Sequence, residues 1–124
     1  MSAVSLSLSM VTLGTPDVGA ALRFYQRLLS WEVETDDPDW AVLRHPDGGV
    51  RLGFQTERDF VAPTWPATPG EQQMTMHLEV AVDDLPAAAA HALACGATRA
   101  AFQPQQDVLV HLDPDGHPFC LYVA

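Results

Sequence analysis

The chain is written twice, and that constrains its fold more than any other feature. Laying VTLGTPDVGAALRFY (residues 11–25) over LEVAVDDLPAAAAHA (residues 78–92) aligns Val11 with Leu78, Leu13 with Val80, Asp17 with Asp84, Val18 with Leu85, Ala21 with Ala88 and Leu22 with Ala89. Further on, HPDGG (45–49) matches DPDGH (113–117), and RLGFQ (51–55) falls on PFCLY (118–122). Three segments recur in the same order, displaced by 67 or 68 residues. Two modules of about sixty residues each are the simplest account.

Both modules carry the same local signals. Val11 and Leu13 alternate with Met10 and Thr12, as in a strand with one face toward a core. Asp17 is placed to cap a helix in which Val18, Ala21, Leu22, Tyr25, Leu28 and Leu29 recur at helical spacing. Asp84 opens the second helix, with Leu85, Ala88, Ala89, Ala92 and Cys95 facing inward and Pro86 tolerated in the first turn. Ser30 and Gly96 end the two helices. Three strands are expected after each helix: near 31–35, 40–44 and 50–55 in the first module, and near 98–102, 108–112 and 119–123 in the second. The PDGG and PDGH turns carry the Pro and Gly that a reversal needs. Each module is therefore β-α-β-β-β, over residues 4–55 and 74–124. Residues 56–73, TERDFVAPTWPATPGEQQ, hold three prolines without periodicity and read as the linker. The fold class is α+β.

A helix covers one face of each four-stranded sheet, so the other face must meet something else. Pairing two such sheets would leave a cleft between their uncovered faces, where function is expected. Alternation assigns Leu8, Met10, Thr12, Arg51, Gly53 and Gln55 to the open face of the first module. In the second module it assigns Thr75, His77, Glu79, Pro118, Cys120 and Tyr122. Gly53 leaves space for a bulky ligand. Trp31 reads as core packing, whereas Trp40, Phe60 and Trp65 are placed either to overhang the cleft or to serve as interface aromatics. Arg51 is expected to pair with a carboxylate across the sheet. His111 and His117 read as strand-edge or turn residues, and Cys120 as a buried inert thiol.

Composition narrows the partners. Sixteen acids against six bases, all of them Arg, give a net charge of −10. That excludes a basic stripe for nucleic acid and favours cationic small molecules over anionic ones. No stretch is long and apolar enough for a membrane span, and the N-terminus lacks the pattern of a secretory signal. Two cysteines outside any metal or redox spacing indicate free thiols, and a cytoplasmic protein is expected. No nucleophile triad spacing, phosphate-binding P-loop or dinucleotide fingerprint is present.

The paired modules, the V-x-L-x-x-P-D junction of strand and helix, the FY of the first helix and the DPDGH turn before the last strand together resemble the vicinal oxygen chelate superfamily. That group includes glyoxalase I, extradiol dioxygenases, fosfomycin-modifying enzymes and bleomycin resistance proteins. The resemblance covers nearly the whole chain. It implies that the two βαβββ modules form a curved mixed eight-stranded sheet, an incomplete barrel around a cleft, and that the chain pairs as a homodimer. It also implies metal ligands on the first and last strand of each module. The matching positions here are Met10, Gly53, His77 and Cys120, of which only His77 is the residue type expected. A thioether, a bare backbone, one imidazole and one thiol are too few and too soft for the hard ions of such sites. No metal and no other cofactor is therefore expected.

Three functions follow as expectations. The first is metal-free binding that sequesters a bulky aromatic or cationic compound, in the manner of resistance proteins, with Met10, Thr12, Trp40, Arg51, Gly53, Gln55, Phe60, Trp65, His77, Glu79, Cys120 and Tyr122 as ligand contacts. The second is a lyase, isomerase or dioxygenase-like enzyme in which His77 acts as general base and Glu79 as acid or cation anchor. The third is a non-catalytic partner of other chains. Nucleic acid and membrane are expected as partners of none of the three.

Overall fold

Residues 4–124 are described by a computed structural model. Its elements are β1 (Met10–Thr15), α1 (Val18–Leu29), β2 (Glu32–Asp37), β3 (Trp40–Arg44), β4 (Arg51–Thr56), β5 (Leu78–Val82), α2 (Leu85–Cys95), β6 (Thr98–Arg99), β7 (Val108–Leu112) and β8 (Pro118–Val123). The strands form two four-stranded sheets, ordered β1-β4-β3-β2 and β5-β8-β7-β6. In each, the first strand runs parallel to the last and the remaining pairs are antiparallel. The repetition seen in the sequence is thus a repetition of topology and of register. Thr12 lies opposite Gly53, and Glu79 opposite Cys120, at matching places in the two copies. The chain divides into two compact units between Arg58 and Asp59.

The helices start and stop where local chemistry dictates. Asp17 and Asp84 each accept a hydrogen bond at 3.0 Å from a free amide of the first turn, at Ala20 and Ala87 respectively. Ser30 (φ 58°) and Gly96 (φ 114°) end the helices in the left-handed conformation. Left-handed glycines, Gly48 and Gly116, also turn the two PDG segments.

In the first module α1 buries Val18, Ala21, Leu22, Phe24 and Tyr25 against one sheet face. Tyr25 stacks on Phe54 at 5.5 Å and meets Phe24 edge-on at 4.8 Å. Each of these buried aromatics contributes roughly 2–3 kcal/mol by leaving water. Phe24 was not among the inward positions read from the sequence, because the apolar stripe is wide enough to turn one more residue inward. A bulge between Val33 and Thr35 sets Glu34 out of register in β2. Glu34 then receives both Arg51, at 2.6 Å, and Arg44, at 3.5 Å.

In the second module Ala89, Ala92 and Cys95 are the buried residues of α2. Phe119 and Leu121 on β8 are buried in the places that Leu52 and Phe54 hold in the first copy. His111 is also here, with no exposed surface and stacked on Phe119 at 5.7 Å. The strand-edge position expected of it is therefore corrected. β7 is an inner strand, and alternation turns His111 to the same face as its register partner Phe119. The strand expected over 98–102 shortens to two residues because the Gln103 side chain takes over the ladder. Its Oε1 accepts the Val110 amide at 2.9 Å, and its Nε2 donates to the Val110 carbonyl at 2.8 Å. Alternation fails at two positions assigned to the open faces. Leu8 lies before β1 and is exposed, and Thr75 adopts φ 55°, which breaks the strand geometry ahead of β5.

Candidate functional site

On the face of the first sheet away from α1, four side-chain positions meet. A Cβ placed on Gly53 would lie 2.8 Å from Met10 Sδ, 3.1 Å from Thr12 Oγ1 and 3.3 Å from Trp40 Cη2. The space expected at Gly53 is therefore filled from within the module by a thioether and an indole. β1 and β4 run side by side in parallel, and Trp40 is carried over the same spot by β3. Glycine is favoured here by close approach, not by its backbone angle, since an added Cβ would press on the Met10 tip. Arg51, expected among the ligand contacts, is engaged by Glu34, and its Nε also reaches the Ser9 carbonyl at 3.4 Å. Gln55 is exposed at the far end of β4, beside Trp40 in the register.

The second module gathers chemistry in one place. His77 Nε2 and Glu79 Oε1 are 2.9 Å apart, and these two groups and the Cys120 sulfur lie within 4.8 Å of one another. The parallel pairing of β5 with β8 sets Glu79 directly beside Cys120, and His77 precedes Glu79 by two residues on the same face. Cys120 is buried with Ala100 and Val110, and Trp65, Val108 and Leu112 pack against that cluster. Burial pushes the Cys120 thiol above its ordinary pKa, and the nearby Glu79 charge pushes it the same way. It is a protonated thiol at neutral pH, which is the opposite of an activated nucleophile.

Trp65 thus lies over the open face of the second sheet, tied down by its Nε1 donating to the Phe102 carbonyl at 3.0 Å. Phe60 does not join it. Its ring meets His117 at 5.4 Å, beside the 113–117 turn. Tyr122 is half-buried opposite Val108. The turn itself is held by Asp113, whose Oδ1 accepts the amides of Asp115 and His117 and whose Oδ2 sits 2.7 Å from His117 Nδ1.

The resemblance implies a hard divalent ion at Met10, Gly53, His77 and Cys120, and the residues do not fit one. Gly53 can gain no carboxylate without displacing Met10, and Met10 itself offers sulfur where such an ion needs oxygen. No step of a reaction can be routed through it. What sequence reasoning missed was contact across strands. The Met10 sulfur over Gly53 and the third donor beside Cys120 both depend on strand register.

Two β-α-β-β-β units with parallel outer pairs define the architecture of glyoxalase-type proteins, and solved structures agree. A glyoxalase/bleomycin resistance protein/dioxygenase family enzyme from Burkholderia phytofirmans PsJN superposes with a TM-score of 0.69 at 22% identity, covering 94% of this chain and 97% of that one. Oxidase ChaP-H2 gives 0.68 at 19% identity, with 98% and 95% covered. The bleomycin resistance determinant encoded on transposon Tn5 gives 0.62 at 17% identity, with 95% and 98% covered. No curated protein is significantly similar to the chain. The family model described as a Glyoxalase-like domain matches residues 10–122, and the chain belongs to that family. It is thereby a member of the vicinal oxygen chelate superfamily. No helix among the described residues is long and apolar enough to cross a membrane.

Proposed function

We propose that this protein binds and sequesters a bulky aromatic or cationic small molecule, and that it needs no metal ion to do so. The observation that carries this reading is the packing at Gly53. Where a metal-binding relative would place a carboxylate, Met10, Thr12 and Trp40 close together into a soft, partly aromatic surface. Such a surface suits a flat ligand through dispersion and, for a cation, through the indole face. The net charge of −10 supports approach of a cation. Sequestration requires affinity and no chemistry, so loss of the ion is compatible with it. The structural relative encoded on Tn5 is described as a bleomycin resistance determinant, which is consistent with the same use. Free Cys95 and Cys120 support a cytoplasmic setting.

The test is binding of a panel of aromatic cations to chelator-treated protein, read by tryptophan fluorescence and calorimetry. Binding should survive the chelator, and Trp40→Ala should weaken it about tenfold, the loss of one aromatic contact. Binding that appears only with added divalent ion would overturn the reading. The family resemblance also supports a homodimer, and Leu6 and Leu8, 89% and 74% exposed, give it a physical motive. Light scattering of a Leu6→Ser, Leu8→Ser double variant should then show a monomer.

A second reading rests on the His77–Glu79 hydrogen bond, in which the carboxylate orients the imidazole as a general base would require. It predicts turnover of a small carbonyl substrate that His77→Ala abolishes while ligand binding persists.

A further inference from the structure

We propose that residues 64–76 form a hinged strap over the open face of the second sheet, and that Trp65 plugs there a niche for a flat aromatic ring carrying a ring N–H donor. The surface under the indole is apolar: Ala100, Val110 and Cys120 are buried in it, and Val108 and Leu112 pack against them. The indole adds the 3.0 Å hydrogen bond from its Nε1 to the Phe102 carbonyl. An external ring that stacks on this surface and donates to that carbonyl makes the same two interactions.

The strap is built to open. Residues 64–72 close on themselves, the Thr64 amide donating to the Gln72 carbonyl at 2.9 Å, and residues 66–73 are exposed throughout. Among the described residues, the hydrogen bonds of 64–76 stay within the segment except that of Trp65. Its far end is strained. Thr75, a β-branched residue, has φ 55°, and the Met76 amide turns back to the Met74 carbonyl at 2.6 Å. The duplication explains why the sheet does not hold this end. Ahead of β1 the Arg51 amide donates to the Ser9 carbonyl at 3.0 Å, but the matching donor ahead of β5 is Pro118, which has no N–H. The chain therefore leaves the ladder before Leu78, and Trp65 is left as the anchor. With one anchor and a strained hinge the closed state is shallow, so a ligand has only to displace one side chain. This niche belongs to the second module and is distinct from the surface at Gly53, so either reading can fail alone.

The experiment follows the reaction of Cys120 with N-ethylmaleimide in the full chain by peptide mapping, with Cys95 as the control for global unfolding. Thr75→Gly relieves the positive φ and should slow Cys120 labelling roughly threefold. Thr75→Pro cannot adopt that φ and should speed it, as Trp65→Ala does, with Cys95 unchanged. If Thr75→Pro fails to fold, Cys95 labelling rises with it and the opposite shift in Thr75→Gly decides the hinge. In Trp65→Ala, added indole should restore protection of Cys120 saturably, and 1-methylindole, which lacks the donor, should bind roughly fivefold more weakly. Labelling rates in both Thr75 variants equal to the parent would overturn the strap. Absence of saturable protection by indole, or equal protection by 1-methylindole, would overturn the niche.

Discussion

His111 offers a direct measurement of what a buried, half-satisfied imidazole does to stability. It has no exposed surface, and its Nδ1 donates to the Leu109 carbonyl at a long 3.4 Å. That tautomer leaves Nε2 as a bare lone pair, buried with no partner. Burial holds the His111 pKa below the ordinary histidine value and the Arg99 charge adds to this, while the Leu109 carbonyl pulls the other way. The native protein therefore keeps His111 neutral, whereas the unfolded chain takes up a proton at about pH 6.5. Below that pH the unfolded state binds more protons. Stability is full above about pH 6.5 and falls as the pH drops toward the lowered native value, by at most about 1.4 kcal/mol per pH unit.

Replacing the ring with a hydrocarbon isolates this contribution. His111→Leu removes an unsatisfied buried group, worth about 1–3 kcal/mol, and loses the stacking on Phe119, worth about 0.5–1.5 kcal/mol. At about pH 8 the variant should lie between roughly 0.5 kcal/mol less and 2.5 kcal/mol more stable than the parent. At about pH 5.5, one unit below the unfolded pKa, it should gain further, by at most about 1.4 kcal/mol. Urea unfolding of both proteins at the two pH values, followed by far-ultraviolet circular dichroism, gives the difference directly. Each protein carries the same other histidines, so their titration cancels. If the two stability curves run parallel from about pH 8 to about pH 5.5, the reasoning from burial is refuted.

Three further outcomes are expected. Asp17→Ala and Asp84→Ala should each cost about 0.5–2 kcal/mol in urea unfolding, because each strips an acceptor from a free first-turn amide. Gly53→Ala sets its Cβ against Met10, Thr12 and Trp40 and should cost about 1 kcal/mol, since the Met10 tip can move, whereas Gly53→Val adds two methyl groups at the same crowded spot and should cost about 1–3 kcal/mol by thermal unfolding. Trp65→Ala should speed the reaction of Cys120 with a thiol reagent at neutral pH by uncovering its cluster, with Cys95 unchanged in the same peptide map; equal labelling rates in parent and variant would show that Trp65 does not cover the thiol.

Much of this protein was legible in the amino-acid order. The duplication, the two capping aspartates, the helix stops at Ser30 and Gly96 and the alternation of Val11 and Leu13 with Met10 and Thr12 are all signals spanning a few residues. Backbone chemistry alone fixes what such segments become, and two copies of the same signals produce two sheets of the same topology. The soft character of positions 10, 53, 77 and 120 was equally plain, since it depends only on which side chains stand there. Tertiary structure decided what those side chains touch. Met10 fills the hollow at Gly53 because a parallel strand pairing sets them side by side, and Glu79 becomes a third donor because the same pairing puts it next to Cys120. His111 goes to the interior, and Trp65 comes back from an aperiodic segment to lie on β7 and β8. Each of these contacts joins residues 8 to 55 positions apart, and a spacing pattern has no term for distance through space.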